Sequence, residues 1–329
     1  MSPGKTHEAI ETIAGVTVSS VQFQPTDRPI EDRFSITASP DGARLMLGVY
    51  DGHSGSDTAE YISKILPPAL LACPPQDHIR IFEQTDKAML DAFKNDHAPF
   101  CVRRSKEWLH NARVLRSGCT ALILDIDIPG MVAHYSNAGD CRGLVCDKVR
   151  DLEAPDAVLQ IQQTIDLNAK SRSEQERLKL EHPNETMLVV SGRLFGKLMS
   201  TRGFGDGYYK LPRGINNRQH KKYVDVLSAL DKEKGKVPLN AQYNSYFYGY
   251  RTPPYLIATP DTGVMTLNPD SFIVCGSDGL YDLVTSEVIT QTVRQGIRDG
   301  VENLAAHLLE AVTAMGIGDD VTILVLTFN

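Results

Sequence analysis

Residues 44–60 read RLMLGVYDGHSGSDTAE and join a strand, a tight turn and the beginning of a helix. The run RLMLGVY at 44–50 is apolar and of strand length, which is typical of a buried β-strand. Residues 56–71 are predicted to form a helix, because apolar residues recur there at helical spacing. Those residues are Ala59, Ile62, Ile65, Leu66 and Ala69. Asp51, the first residue of DGHSG, therefore stands where the strand ends, on a glycine-containing turn that leads into the helix.

Strand and helix patterns occur in blocks along the rest of the chain. Enrichment in apolar and β-branched residues predicts further strands at 15–23, 33–38, 119–127, 131–137, 142–146, 271–276 and 321–328. Further helices are predicted at 77–95, 173–180, 285–298 and 301–315. Strict alternation of strand and helix is missing, so a doubly wound parallel sheet is a poor match. Helices segregated from mainly antiparallel strands predict an α+β fold.

The whole chain, residues 1–329, is expected to form a single domain. Its 329 residues would allow about two domains at roughly 150 residues each, but no convincing linker divides the sequence. The least regular stretch, 211–254, is rich in Tyr and Asn. It is interpreted as part of a flap or insertion around residues 165–254.

Composition argues against several classes of protein. Lys and Arg total 34 against 41 Asp and Glu, a formal net charge of −7, whereas a general nucleic-acid binder needs an excess of basic residues. The longest apolar runs have strand length, so no membrane-spanning helix is expected. The N-terminal MSPGKTHEAIETIAG is neither a secretory signal nor a good transit peptide. None of the six cysteines has C-x-x-C spacing, which indicates inert thiols in a reducing compartment.

Acidic residues gather where strands begin or end. They are Glu31 and Asp32, Asp51, Asp140, Asp278 with Asp282, and Asp319 with Asp320. Taken singly, an Asp-Gly site is more often only a turn or a helix cap. Taken together they predict more, because clustered carboxylates repel one another unless cations lie between them. Oxygen ligands without cysteine suit Mg²⁺ or Mn²⁺. A shared carboxylate permits two ions about 3.5–4 Å apart, which activate water and clamp a phosphoryl group.

Seven motifs, in order, resemble the metal-dependent serine/threonine protein phosphatases of type 2C. They are PIEDRFS, GVYDGHSG, SGCTALI, SNAGDCRGLV, STRGFGDGYYK, CGSDGLYDL and GDDVTILVL. The runs SEQERLKLEHPNETMLVVSGRLFGKLMSTRGFGD and TPPYLIATPDTGVMTLNP are similar to the pyruvate dehydrogenase phosphatase branch. The resemblance implies a four-layer α/β/β/α sandwich, in which two antiparallel sheets are flanked by antiparallel helices.

The resemblance also implies two metal sites. Asp51 would bridge two ions, Mg²⁺ or Mn²⁺. The Gly52 carbonyl and Glu31 would complete one site, and Asp278 and Asp319 would hold the other.

Other residues would complete the catalytic centre. Asp140 and Asp282 match positions that, with Asp278, form a weaker third metal site in some members. Asp32 would orient a metal-bound water. His53 would protonate the leaving serine or threonine oxygen, with a polar loop histidine as the alternative interpretation.

The sequence departs from the family pattern in two places. Many members have an arginine four residues before the metal-binding glutamate, where it binds the substrate phosphate. That position is Asp27 here, so Arg28 and Arg33 are the candidates for this role, and both are alternatively solvated surface residues. The C-terminal motif has a second carboxylate, Asp320, where asparagine is more usual.

The expected function is metal-dependent hydrolysis of phosphoserine and phosphothreonine in a phosphoprotein substrate, without a covalent enzyme intermediate. A pseudophosphatase that only binds, or a phosphatase for small phosphoesters, are the alternatives. A monomer is expected, with neither nucleic acid nor membrane as partner. The expected compartment is the cytoplasm, or the mitochondrial matrix if a transit peptide precedes this chain.

Overall fold

A computed structural model describes residues 5–96, 106–147, 160–211 and 250–329. The strands, numbered in chain order, are β1 Lys5–Ile13, β2 Val16–Gln24, β3 Arg33–Ala38, β4 Arg44–Tyr50, β5 Gly52–His53, β6 Gly118–Cys119, β7 Ala121–Asp127, β8 Val132–Ala138, β9 Arg142–Asp147, β10 Gln162–Gln163, β11 Val189–Val190, β12 Arg193–Leu194, β13 Phe204–Gly205, β14 Asp261–Thr266, β15 Ser271–Gly276 and β16 Val321–Phe328. The helices are α1 Asp57–Leu71, α2 His78–Asp96, α3 Lys106–Arg116, α4 Arg172–Glu181, α5 Gly207–Lys210, α6 Asp278–Tyr281, α7 Ser286–Arg298 and α8 Leu304–Thr313.

Most strands belong to two antiparallel sheets. One has six strands in the order β1-β2-β16-β15-β9-β10, and the other has five in the order β14-β8-β7-β4-β3. Every neighbouring pair within them is antiparallel. A short three-stranded ribbon has the order β13-β6-β5, and its strand β5 begins two residues after the last residue of β4.

The side chains of the central strands alternate between two cores, as the pleat of a strand requires. In β4, Leu45, Leu47 and Val49 enter the core between the two sheets, whereas Met46 and Tyr50 pack with the helices α1 and α2. In β16, Leu324 and Leu326 enter the same central core, and the intervening residues pack on α7 and α8. Both faces of each sheet are therefore covered, which explains why these strands read as continuous apolar runs.

The resulting order of layers is helices, sheet, sheet, helices. Helices α1 and α2 cover the five-stranded sheet, and α7 and α8 cover the six-stranded sheet. The predicted α+β four-layer sandwich is thus confirmed.

The structure differs from the sequence-based prediction at several elements. Strands β1 and β14 and helix α3 were not predicted. The residues of β1 are exposed along nearly their whole length and are held by backbone pairing with β2, so no hydrophobic pattern marks them. The predicted strand 119–127 is interrupted at Thr120, whose backbone N–H bonds the carbonyl of Asp51 at 2.9 Å. The predicted helix 301–315 begins later, because Asn303 caps it by accepting from the Ala306 N–H at 3.0 Å.

The predicted flap is described only in part. Residues 165–211 contain α4, the β11-β12 hairpin, β13 and α5, while 212–249 lie outside the described residues. The division of the chain, one domain over 1–329 with a flap at 165–254, therefore stays a prediction. Among the described residues, no helix combines the length and apolarity that crossing a membrane requires.

Candidate metal centre

Asp51 lies at the centre of the acidic cluster, at the point where β4 ends. Its carbonyl accepts from Thr120, and the next residue, Gly52, pairs with Cys119 in the ribbon. A Cβ at Gly52 would lie 2.2 Å from the carbonyl oxygen of Glu31. Only glycine allows this approach, which brings the Asp51 turn against the loop that carries Glu31 and Asp32.

Asp32 is a buried carboxyl group, with 1% of its surface exposed. Its Oδ2 accepts a hydrogen bond from Thr322 Oγ1 at 2.9 Å, which links β3 to β16. Burial raises the pKa of Asp32 to about 7; Asp320 and Asp278 add to the rise, while the hydroxyls of Thr322 and Ser277 oppose it. This carboxyl group therefore holds its proton near neutrality more readily than a free aspartate.

The carboxyl groups of Asp51 and Asp278 are joined by a hydrogen bond. Asp278 opens α6, directly after β15. Burial raises the pKa of Asp51 well above its usual range, and so do Asp32 and Asp278. Burial likewise raises the pKa of Asp278, whereas its hydrogen bond with Asp51 lowers it. Two carboxyl groups at hydrogen-bonding distance repel each other unless a proton or a cation lies between them.

Asp140 joins the cluster from the end of β8. It is buried, and Asn168 donates its Nδ2–H to Asp140 Oδ2 at 3.0 Å. Burial raises the pKa of Asp140 to about 7, Asp278 raises it further, and the Asn168 hydrogen bond opposes the rise.

Three further predicted ligands lie around this cluster. Glu31 donates its backbone N–H to Asp320 Oδ2 at 2.8 Å. Burial raises the pKa of Glu31, with smaller contributions from Asp320 and Asp319. Asp319 and Asp282 are exposed, and both raise the pKa of Asp278 electrostatically.

The chemistry of this donor set fits a hard divalent cation. The converging groups are carboxylates without cysteine, which Mg²⁺ and Mn²⁺ prefer. Their pKa values are raised first by burial and then by repulsion from neighbouring carboxylates, and a bound cation would offset both. Within the described ranges, no group of three or more acidic, histidine or cysteine side chains is arranged so that it could hold a metal ion.

His53 lies beside the acidic cluster, in β5. Its Nε2 is 2.7 Å from Asp206 Oδ2. Burial lowers the pKa of His53, but Asp206 and Glu31 raise it, and the net shift is upward. The predicted histidine therefore has a carboxylate partner, Asp206, which lies in the motif STRGFGDGYYK.

The two candidate arginines have different surroundings. Arg33 Nε bonds Glu60 at 2.5 Å, and its Nη1 bonds the carbonyl oxygens of Ile30 and Asp32. Arg28 is exposed and forms no ion pair with any residue that the structure describes. Arg33 is thus already engaged in holding the loop before β3, while the Arg28 guanidinium is available.

Sequence reasoning missed the polar groups that position the acids. Asn168 lies in none of the quoted motifs, and Thr322 lies in GDDVTILVL without being marked there as a partner of Asp32. Their contacts join residues 28 and 290 positions apart. Asp206 was visible in the GFGD motif, but its contact with His53 depends on the fold. The need for glycine at position 118 also depends on the fold, because a Cβ there would lie 2.0 Å from Asp206 Oδ2 and 2.3 Å from His53 Nε2.

Comparisons with solved structures support the fold. The chain superimposes on a Caenorhabditis elegans sex determining protein with a TM-score of 0.63 and 17% identity, over 97% of this chain and 66% of that one. A serine-threonine phosphatase 2C from Toxoplasma gondii gives a TM-score of 0.64 and 14% identity, over 99% and 100% of the two chains.

Sequence comparisons extend the likeness to the family. A protein phosphatase 2C homolog of Schizosaccharomyces pombe is 29% identical over 77% of this chain and 56% of its own length. Mitochondrial pyruvate dehydrogenase phosphatase 1 of Bos taurus is 29% identical over 82% of this chain and 59% of its own length. The chain thus spans less than two thirds of the length of these relatives. The family model described as Protein phosphatase 2C matches residues 16–321, and the chain therefore belongs to the protein phosphatase 2C family.

Proposed function

We propose that this chain is a phosphoprotein phosphatase that hydrolyses phosphoserine and phosphothreonine esters with the help of Mg²⁺ or Mn²⁺. The observation that carries the proposal is a cluster of four carboxyl groups, in which Asp32 and Asp140 are buried and Asp51 and Asp278 are partly buried. Burying so many like charges together is costly, and divalent cations would offset that cost. The activity, substrate and partners are proposals, because this chain spans less than two thirds of the length of the relatives it matches.

The proposed ligand roles are those that the resemblance to the family implies. Asp51 would be shared between two ions, with Glu31 and the Gly52 carbonyl on one side and Asp278 and Asp319 on the other. When bound, such a pair of ions lowers the pKa of a coordinated water and withdraws charge from a phosphoryl group. We propose that the site binds two ions, and that a third would bind to Asp140, Asp282 and Asp278.

The remaining residues would handle protons and the phosphate. Asp32 is buried and fixed by Thr322, so it would orient the attacking water and accept its proton. His53 would protonate the serine or threonine oxygen as the phosphorus–oxygen bond breaks. Of the two arginines, Arg28 is the better candidate for the phosphate, because Arg33 is already bonded to Glu60.

Two alternatives concern the substrate and the turnover. A pseudophosphatase usually lacks metal carboxylates, and all the predicted ones are present in this sequence. A phosphatase for small phosphoesters would need a pocket shaped by the flap at 165–254. Several relatives are named as mitochondrial proteins. These names support the mitochondrial matrix as one proposed compartment, and the cytoplasm is the other. A monomeric state stays a prediction.

A panel of substrates tests the proposal. Metal-stripped protein would be supplied with Mg²⁺ or Mn²⁺ and offered phosphoserine and phosphothreonine peptides beside phosphorylated metabolites. We expect metal-dependent release of phosphate from the peptides. Release from metabolites alone would favour the small-ester alternative. Failure to bind Mn²⁺ in a calorimetric titration, with no turnover, would favour the pseudophosphatase.

A further inference from the structure

The imidazole of His53 is held from one side by a single carboxylate. Asp206 Oδ2 lies 2.7 Å from His53 Nε2, and both residues are at least half buried. In the described part of the chain, Nδ1 of the same ring makes no hydrogen bond to protein. Asp206 thus occupies one ring nitrogen and leaves the other for a ligand.

The backbone of Asp206 is in an uncommon conformation. Asp206 has φ +53° and ψ +44°, in the left-handed region that non-glycine residues rarely adopt. Such strain, where the surrounding structure fixes it, is concentrated at functional sites. The room for the pair comes from Gly118, because a Cβ there would overlap with both Asp206 Oδ2 and His53 Nε2.

Loop structure alone does not require the Asp206 carboxylate. The loop is fixed by backbone bonds, from the Asp206 N–H to the Ser117 carbonyl at 2.9 Å and from the Tyr209 N–H to the Asp206 carbonyl at 2.8 Å. It is fixed also by the buried ion pair of Lys210 Nζ with Asp86 Oδ1, at 2.5 Å. None of these contacts uses the Asp206 side chain, whose described hydrogen bond is to His53.

We propose that Asp206 is a positioning residue, which orients the His53 ring so that Nδ1 donates the proton to the leaving oxygen of the phosphoester. The inference rests on the proposed phosphatase function and adds to it. In the step concerned, water attacks phosphorus, and the phosphorus–oxygen bond to serine breaks with its electron pair passing to oxygen. That oxygen takes the proton from His53, serine and phosphate depart, and the ring regains a proton from solvent.

The choice of leaving group separates this role from a structural one. Nitrophenolate leaves p-nitrophenyl phosphate as a stable anion and needs no proton, whereas a serine alkoxide does. Asp206→Asn should therefore lower kcat on a phosphoserine peptide by roughly 10–100-fold, the effect of losing an orienting partner. On p-nitrophenyl phosphate, kcat should change by less than about 3-fold, since general-acid catalysis contributes little there. Asparagine tolerates left-handed backbone, so this variant keeps the fold.

Two further variants complete the experiment. His53→Gln should show the same selectivity, and the double variant should be no slower on the peptide than His53→Gln alone, because Asp206 acts through His53. Asp86→Asn is the matched control: it breaks the ion pair in the same loop and should affect both substrates alike. Thermal melting and Mn²⁺ titration would accompany each variant.

Equal losses for Asp206→Asn on the two substrates, or an additive double variant, would overturn the inference while leaving the phosphatase assignment intact. Wild-type protein that releases phosphate from neither substrate with Mn²⁺ would instead contradict the proposed function itself.

Discussion

Asp320 Oδ2 accepts the backbone N–H of Glu31 at 2.8 Å and thereby joins two loops that are 289 residues apart in the chain. Asp320 is the residue at which the C-terminal motif departs from the usual asparagine. Burial raises the pKa of Asp320, while the bond from Glu31 lowers it. The departure therefore has a structural role, since this carboxylate fixes the loop that carries the predicted ligand Glu31.

Removing the Asp320 side chain should weaken metal binding. Asp320→Ala leaves the Glu31 N–H without its partner, at a cost of about 1–3 kcal/mol, and the loop loses its fixed position. Asp320→Asn keeps an acceptor oxygen and should bind Mn²⁺ nearly as the wild type does. Calorimetric titration of both variants checks this, and equal affinity of Asp320→Ala and wild type would refute the role.

The stability of metal-free protein should fall as pH rises. Asp32 and Asp140 have pKa values raised from 3.8 to about 7 in the folded state. The folded protein therefore binds more protons than the unfolded chain in this range, and these groups stabilise it below about pH 4 and cease to do so as pH passes about 7. Melting in EDTA from about pH 5 to about pH 8 measures the slope, and Asp32→Asn should reduce it. A melting temperature that rises across this range in wild type and variant alike would speak against the buried cluster.

Gly52 should not tolerate a side chain. Gly52→Ala places a Cβ 2.2 Å from the Glu31 carbonyl oxygen, and such overpacking costs typically about 1–3 kcal/mol. Gly318 offers a matched control beside Asp319, because a Cβ there has no atom within 4 Å. We expect Gly52→Ala to lower the melting temperature and the affinity for Mn²⁺, with Gly318→Ala close to wild type. Equal behaviour of the two variants would show that the approach of the two loops is not essential.

Glu174 should be important for stability although it is not one of the predicted metal ligands. It is fully buried and is bonded by Arg177, Arg202 and Thr201, which ties α4 to the segment before β13. Glu174→Gln breaks a buried ion pair and should cost about 3–5 kcal/mol. Glu176→Gln, on the exposed side of the same helix, should cost less than about 1 kcal/mol. Urea denaturation of both variants tests this, and similar midpoints would contradict it.

The sequence was sufficient for the central strands because burial on both faces makes them apolar throughout. Residues 44–50, 271–276 and 321–328 were predicted with the bounds that β4, β15 and β16 have. The edge strand β3 was also predicted with its observed bounds, 33–38, although its residues are only partly buried. The strand β1 escaped prediction because its exposed residues carry no apolar period. Backbone pairing with β2, rather than burial of its side chains, fixes it in place.

The candidate site was predictable as a set of acids and not as a set of contacts. Asp51, Asp140 and Asp278 could be predicted as site residues, because each follows a predicted strand and lies in one of the quoted motifs. The pair of His53 and Asp206 could not, since it joins residues 153 positions apart and depends on a left-handed backbone. The two arginines were equivalent in sequence, and only the bond from Arg33 to Glu60 distinguishes them.

The most direct test of the proposed bimetallic phosphatase activity is release of phosphate from a phosphoserine peptide by metal-stripped protein, before and after Mn²⁺ is restored. Asp51→Asn serves beside the wild type, and Asp270→Asn, at an exposed turn before β15, serves as the control. We predict that Mn²⁺ restores activity to wild type and to Asp270→Asn and leaves Asp51→Asn inactive. Full activity in EDTA, or full activity of Asp51→Asn, would contradict the account.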